Sequence, residues 1–166
     1  VLKTRIYPVI MSGGAGSRLW PLSTDARPKP HHALVGARTM MEETALRMRG
    51  SHGDIEFMDP VIIAGAGHRE LVKADLASVG VQPAALVFEP MGRNTAATAA
   101  LAALIVADLD PDALALLMPA DHVVTRPPAL IAAVQAAIDV AKTRIVTFGM
   151  TPTEPNTGYG YIRQSN

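Results

Sequence analysis

Residues 6–11 read Ile-Tyr-Pro-Val-Ile-Met, and this short apolar run stops at Ser12-Gly13-Gly14-Ala15-Gly16. No other junction constrains the chain as strongly. A short apolar run bounded by glycines reads as a buried strand. Glycines at 13, 14 and 16 let the backbone turn sharply and approach a ligand with no Cβ in the way. Successive backbone N–H groups in such a loop can form a concave anion site. Arg18, Arg27 and Lys29 then place three cations close by, with few acids between them. A glycine loop at a strand end, followed by fixed cations, is what a polyphosphate needs. The plainer reading is a tight strand-to-helix turn with surface arginines, since Gly-x-Gly is a frequent turn signal. Two familiar phosphate loops are excluded by spacing. Leu19 occupies the third glycine position of a dinucleotide fingerprint, and no Gly-Lys-Ser/Thr follows as a Walker loop requires.

The rest of the chain alternates apolar runs with helical periodicity. Thr39-Met40-Met41-Glu42 fits a capping box, and a helix is predicted from Met40 to Arg49, with Met41, Ala45 and Met48 as core filler. Gly50–Asp54 reads as a loop. Pro60–Ala64 is a second strand, followed by a helix from His68 to Val79 that Gly80 ends. Ala85–Glu89 is a third strand, and Asn94 or Thr95 caps an alanine-rich helix running to Leu109. Leu114–Met118 is a fourth strand. Pro127-Pro128 opens a helix to Lys142, Ile145–Phe148 is a fifth strand, and a last strand begins at Tyr159–Ile162. Strands apolar on both faces, alternating with helices over short connections, predict an α/β fold: three layers, α/β/α, around a mostly parallel Rossmann-like sheet.

Composition narrows the function. Fifteen basic and fifteen acidic side chains balance, which argues against a nucleic-acid backbone binder. The absence of cysteine excludes disulfides and thiol catalysis. No apolar run approaches the ~20 residues of a membrane span. The N-terminus lacks the apolar core of a signal peptide, so a cytoplasmic location is expected. With 49% apolar residues, a chain of 166 can build one core.

In an open parallel sheet, ligands bind at the carboxyl ends of the strands, where the strand order reverses. Three features fall there: the glycine loop, Glu89-Pro90-Met91-Gly92-Arg93-Asn94-Thr95, and Asp121 in Pro119-Ala120-Asp121-His122. A carboxylate on a strand end suits Mg²⁺, which takes few protein ligands. On the residues alone, Asp121 is equally a turn aspartate, and Asn94 is equally a helix cap. The pair His31-His32 has no cysteine or carboxylate pair nearby to complete a metal site. His52, His68 and His122 read as surface or structural residues.

Taken together, Gly14-Ala15-Gly16-Ser17-Arg18-Leu19-Trp20-Pro21-Leu22-Ser23 with Pro28-Lys29 closely resembles the signature of sugar-nucleotide pyrophosphorylases. These nucleotidyltransferases join a nucleoside triphosphate to a sugar 1-phosphate. The Leu-Trp-Pro-Leu-Ser form, the Glu89–Ala97 segment, Pro119–His122 and Thr157-Gly158-Tyr159-Gly160-Tyr161-Ile162 are similar to the mannose-1-phosphate guanylyltransferase branch. The resemblance implies the nucleotide-diphospho-sugar transferase type of sheet, GTP and mannose 1-phosphate as substrates, and Mg²⁺ as cofactor. It implies Arg18 and Lys29 as catalytic residues and Asp121 as one of two metal ligands. Gly13, Gly14, Gly16, Ser17, Arg18, Glu89, Gly92, Arg93, Asn94 and Thr95 would bind nucleotide, and Gly158 would lie by the sugar. Residues 1–166 would be the nucleotide-binding part of a domain truncated before its sugar-binding part. The unfinished last strand would leave an edge that invites a homo-oligomer.

Two departures stand out. Pro30 and His31 replace the usual Gln-Phe after Lys29, changing the packing that aims it, and Ala97 replaces a common Pro. Other readings are a thymidylyl-, uridylyl- or adenylyltransferase on another hexose 1-phosphate, or a non-catalytic nucleotide-binding module.

Overall fold

The first strand becomes the centre of the molecule because both of its faces are apolar. In the computed structural model, which describes residues 2–14 and 19–163, β1 spans Thr4–Ser12. The strands that follow are β2 (Gly50–His52), β3 (Ile55–Phe57), β4 (Val61–Gly65), β5 (Ala85–Glu89) and β6 (Leu114–Pro119). The helices are α1 (Met40–Arg47), α2 (Arg69–Ser78), α3 (Asn94–Leu109) and α4 (Pro127–Ala141).

β1 pairs in parallel on both edges. One edge takes β6, with Ile6 opposite Leu114 and Met11 opposite Pro119. The other edge takes β3 and then β4 end to end, with Ile6 opposite Phe57 and Val9 opposite Val61. Two residues of β1 therefore face three of its partner, a one-residue bulge. Pro8 lies at that break. The Ile6 carbonyl accepts from Met58 N on this edge, and the Met11 carbonyl accepts from Ala120 N on the other. Alternate residues address alternate edges, so Pro8 turns its missing N–H toward the interrupted ladder, where a proline in a central strand is tolerated. β5 pairs in parallel outside β4, and β2 pairs antiparallel outside β3.

Period-two alternation sorts β1 between two cores. Ile6 and Ile10 pack with Met41 and Ala45 of α1, Val72 and Leu76 of α2, and Val134 of α4. Tyr7 and Val9 pack on the opposite face with Ala102 and Val106 of α3. β4 divides in the same way, with Ile62 and Ala64 on one side and Val61 and Ile63 on the other. This is the expected three-layer α/β/α fold. The capping box of α1 is also present: Thr39 Oγ1 accepts from Glu42 N at 3.2 Å, and Glu42 Oε2 accepts from Thr39 N at 2.7 Å.

Three expectations are corrected. Gly50–Asp54 is not simply a loop. It carries β2 and the turn at Gly53, whose φ of +56° suits glycine, leading into β3. Ile55 and Phe57 are buried while Glu56 is exposed, an alternation too short to register in sequence. Ile145–Phe148 forms no strand. Ile145 is 96% exposed, and among the described strands β6 pairs only with β1. Four apolar residues give a strand no stability until a neighbour supplies hydrogen bonds. Tyr159–Ile162 is likewise not extended into a sheet. The Tyr161 hydroxyl folds back, accepting from Asn156 N at 2.7 Å, and local hydrogen bonds replace a ladder.

Ile10→Ala should cost about 2–5 kcal/mol, the usual range for emptying a packed core site, because Ile10 is fully buried between Ile62 and Met118. Ile145→Ala should fall within about 0.5 kcal/mol of the parent, as for most surface changes. Urea unfolding of both variants checks the contrast, and a large loss at Ile145 would restore it to the sheet.

Candidate functional site

The chain crosses from one side of β1 to the other between β5 and β6, so the strand order reverses at the β1–β6 pair. A cleft of about 550 Å³ opens at the carboxyl ends of these strands, where an open α/β sheet places its ligand. Its walls carry Gly13 and Gly14 after β1, Lys29 and Pro30, Glu89 at the end of β5, Gly92–Thr95 and Thr98 around the start of α3, and Pro119 and Asp121 after β6. Segments separated by up to about a hundred residues thus share one rim, as expected of features at strand carboxyl ends.

Lys29 and Asp121 meet across the cleft. Lys29 Nζ donates to the Asp121 carbonyl at 3.0 Å and lies 3.4 Å from Asp121 Oδ2. Both side chains are partly exposed, at 29% and 43%, so the pair is open to water and to a ligand. The second Asp121 oxygen, Oδ1, is 3.9 Å from His122 Nε2. No three His, Cys, Asp or Glu side chains cluster as a metal cage among the described residues.

The glycines at the rim are not required by packing. Among the described residues, chain neighbours aside, a Cβ at Gly13, Gly14 or Gly92 would meet no atom within 4 Å, and none of the three has a left-handed φ. What glycine leaves there is free wall on the cleft.

The start of α3 differs from expectation. Neither Asn94 nor Thr95 caps it from outside. The helix begins on Asn94, no side chain bonds to its free end, and Asn94 itself has φ +64°. Asparagine visits this left-handed region more readily than other non-glycine residues. The first N–H groups of an α-helix lack an intrahelical partner, and among the described residues no N-cap side chain bonds to them here, at an end that lines the cleft. Thr98, one turn along the same helix face, was not anticipated. Its buried hydroxyl lies 3.3 Å from Glu89 Oε1 and 3.3 Å from the Asn94 carbonyl. The signal was available, because residue i+4 shares the face of Asn94. Ser12, buried at the end of β1, also lines the cleft and was missed for want of any motif.

Gly16, Ser17 and Arg18 lie outside the described residues. Gly158 does not line the cleft. It sits in an exposed turn where its N–H donates to Asn156 Oδ1 at 2.9 Å. His31, the departure beside Lys29, is buried against Asp75. His68 Nε2 holds the Asp25 carbonyl at 2.9 Å, and His52 Nε2 holds that of Arg49 at 3.0 Å.

A second hollow lies between Arg38, Met40, Arg47 and His122–Thr125. Burial pushes the Arg47 guanidinium below its ordinary value, and Glu43 opposes that shift. Arg47 is committed to structure, donating to the His122 carbonyl at 2.8 Å. No helix among the described residues is long and apolar enough to cross a membrane.

A model of the nucleotidyl transferase family matches residues 7–166. The mannose-1-phosphate guanylyltransferase of Escherichia coli (strain K12) is 42% identical over 165 residues, covering 98% of this chain and 34% of the relative. The xanthan biosynthesis protein XanB of Xanthomonas campestris pv. campestris (strain ATCC 33913) is 42% identical over 159 residues, 95% of this chain and 33% of its own. Among solved structures, one described as mannose-1-phosphate geranyltransferase from Thermus thermophilus superposes with a TM-score of 0.66 at 28% identity, covering 83% of this chain and 38% of that one. The chain thus spans about a third of the length of these relatives. The match runs through every segment that builds the cleft, and the chain belongs to the nucleotidyl transferase family.

Proposed function

We propose that this chain is the nucleotide-binding part of a mannose-1-phosphate guanylyltransferase, which forms GDP-mannose and pyrophosphate from GTP and mannose 1-phosphate with Mg²⁺. The observation that carries the reading is the single rim joining Gly13, Gly14, Lys29, Glu89, the open end of α3 and Asp121. The name of the Escherichia coli relative supports the choice of substrates.

In the proposed reaction an oxygen of the sugar phosphate attacks the α-phosphorus of GTP in line. The bond between the α-phosphorus and its bridging oxygen breaks, and that oxygen leaves with pyrophosphate. Such transfers ask the protein mainly to position groups and neutralise charge. Gly13 and Gly14 let the triphosphate approach the backbone, and the free N–H groups of α3 face its negative charge. Lys29 stabilises charge that grows at the α-phosphate. Glu89 is held by Thr98, and its carboxylate can accept from the two adjacent N–H donors of a guanine edge, a pattern adenine lacks. Arg18 is proposed as a triphosphate ligand on its motif alone.

The donor set fits a divalent cation of the hard kind. Asp121 offers carboxylate oxygen on a rigid strand end beside the phosphate loop, and one or two protein carboxylates suffice for Mg²⁺ when phosphates complete the shell. Asp121 would hold the ion, which when bound supplies charge neutralisation on the reacting phosphates.

The direct test is GDP-mannose formation from GTP and mannose 1-phosphate, with ATP, UTP and dTTP in parallel. Preference for another triphosphate would reassign the base, and binding without turnover would favour a nucleotide-binding module. Asp121→Ala should lose Mg²⁺-dependent GTP affinity in a calorimetric titration, and unchanged affinity would remove Asp121 from the metal site. Lys29→Ala should lower kcat by about 10²–10³, the usual loss for an electrostatic stabiliser, with a smaller change in KM. Steady-state kinetics checks this, and an unchanged kcat would count against the role.

A further inference from the structure

Lys29 belongs to a three-residue 3-10 turn, Lys29–His31, in which Pro30 fixes the backbone between its two ends. Lys29 reaches into the cleft. His31 turns the other way and is 1% exposed. Its Nδ1 lies 2.6 Å from Oδ2 of Asp75 on α2. An ionised carboxylate only accepts, so Nδ1 carries the proton that is donated. His31 Nε2 is buried with no partner among the described residues. Among the described residues the bond to Asp75 is thus the one hydrogen bond to the imidazole. The turn is also tied by His31 N to the Pro28 carbonyl, His32 N to the Lys29 carbonyl, Arg27 Nε to the His31 carbonyl and, just past it, Met40 N of α1 to the His32 carbonyl.

We propose that His31 and Asp75 are positioning residues, which hold the Lys29 turn against α2 and so aim the Lys29 amine at Asp121. The inference rests on the reading of Lys29 as the transfer-site cation. Where the guanylyltransferase branch uses an apolar ring after Lys-Gln, this chain uses a hydrogen bond, and a hydrogen bond carries a geometric demand that apolar filler does not.

That demand gives the test. His31→Asn keeps an N–H donor at the place of Nδ1. His31→Gln moves the amide out to the place of Nε2, and His31→Leu removes it. The first readout needs no substrate: acetylation of Lys29 followed by mass spectrometry, with exposed Lys73 and Lys142 as internal references. Lys29 acetylation should rise several-fold over the references in His31→Leu, His31→Gln and Asp75→Leu, and stay near the parent value in His31→Asn. The second readout is turnover. His31→Leu should lower kcat by up to about 10²-fold, as a misplacement near 1 Å can, with little change in the KM for GTP, and His31→Asn should restore it. Should His31→Leu fail to fold, which would raise all lysines together, the contrast of His31→Asn with His31→Gln decides. Equal Lys29 reactivity in folded Asn and Gln variants, or a parent-like Lys29 in His31→Gln, overturns the proposal. A parent chain with no GTP turnover would instead count against the proposed function, while the acetylation contrast would still judge the positioning role.

Discussion

Everything at the cleft depends on β1 being hydrogen-bonded in parallel along both of its edges. A strand so placed must be apolar on both faces, and it is the line on which the strand order turns back. Register then does the positioning. Met11 pairs with Pro119, and Gly13 and Asp121 each follow their paired residue by two positions. Gly13 and the acid therefore emerge side by side without any contact having to draw them together. Gly65 pairs with Glu89 in the same way at the next crossover, which brings the Glu89–Thr95 segment to the same rim. Residues distant in sequence share a site because the paired parallel strands end in register.

The legible parts of this fold were those whose signal is local. Ile6–Met11 and Val61–Ala64 are continuous apolar runs, and no other element satisfies both faces of such a run at once. The capping box at Thr39 and Glu42 is a reciprocal pair of hydrogen bonds within four residues, so its sequence nearly is its structure. The stretches that misled depend on a partner. Ile55–Phe57 becomes a strand because β1 offers an edge to it. Ile145–Phe148 has equal or better strand composition and stays outside the sheet, because among the described residues nothing pairs with it. Propensity in a strand mostly records neighbours.

The site was legible to the same extent. Motifs marked the loops, and strand ends placed them on one rim. What sequence could not give was how the loops are held. Thr98 acts through Glu89, one helical turn from a marked residue. His31 looked like an interruption of the Lys29 motif, and its partner Asp75 lies 44 residues away on a helix that bears no motif. A buried histidine is read correctly only with its acceptor in view, since an imidazole alone is equally a metal ligand, a surface group or a core hydrogen bond.

Lys29 and Asp121 carry opposite charges and have opposite uses. The acid is proposed to hold a divalent cation and the base to meet the phosphate, yet in the free chain they face each other at 3.4 Å. The contact gives the carboxylate a partner and holds the Lys29 amine on the cleft wall. Both partners are partly open to solvent, and pairs of that kind contribute about 1 kcal/mol or less. On the proposed function, exchanging the ammonium for a metal ion would therefore sacrifice little. Lys29 would leave Asp121 with its turn still anchored through the His31–Asp75 bond. A strong, fully buried pair would hold both groups as well, but it would hold them out of the reaction.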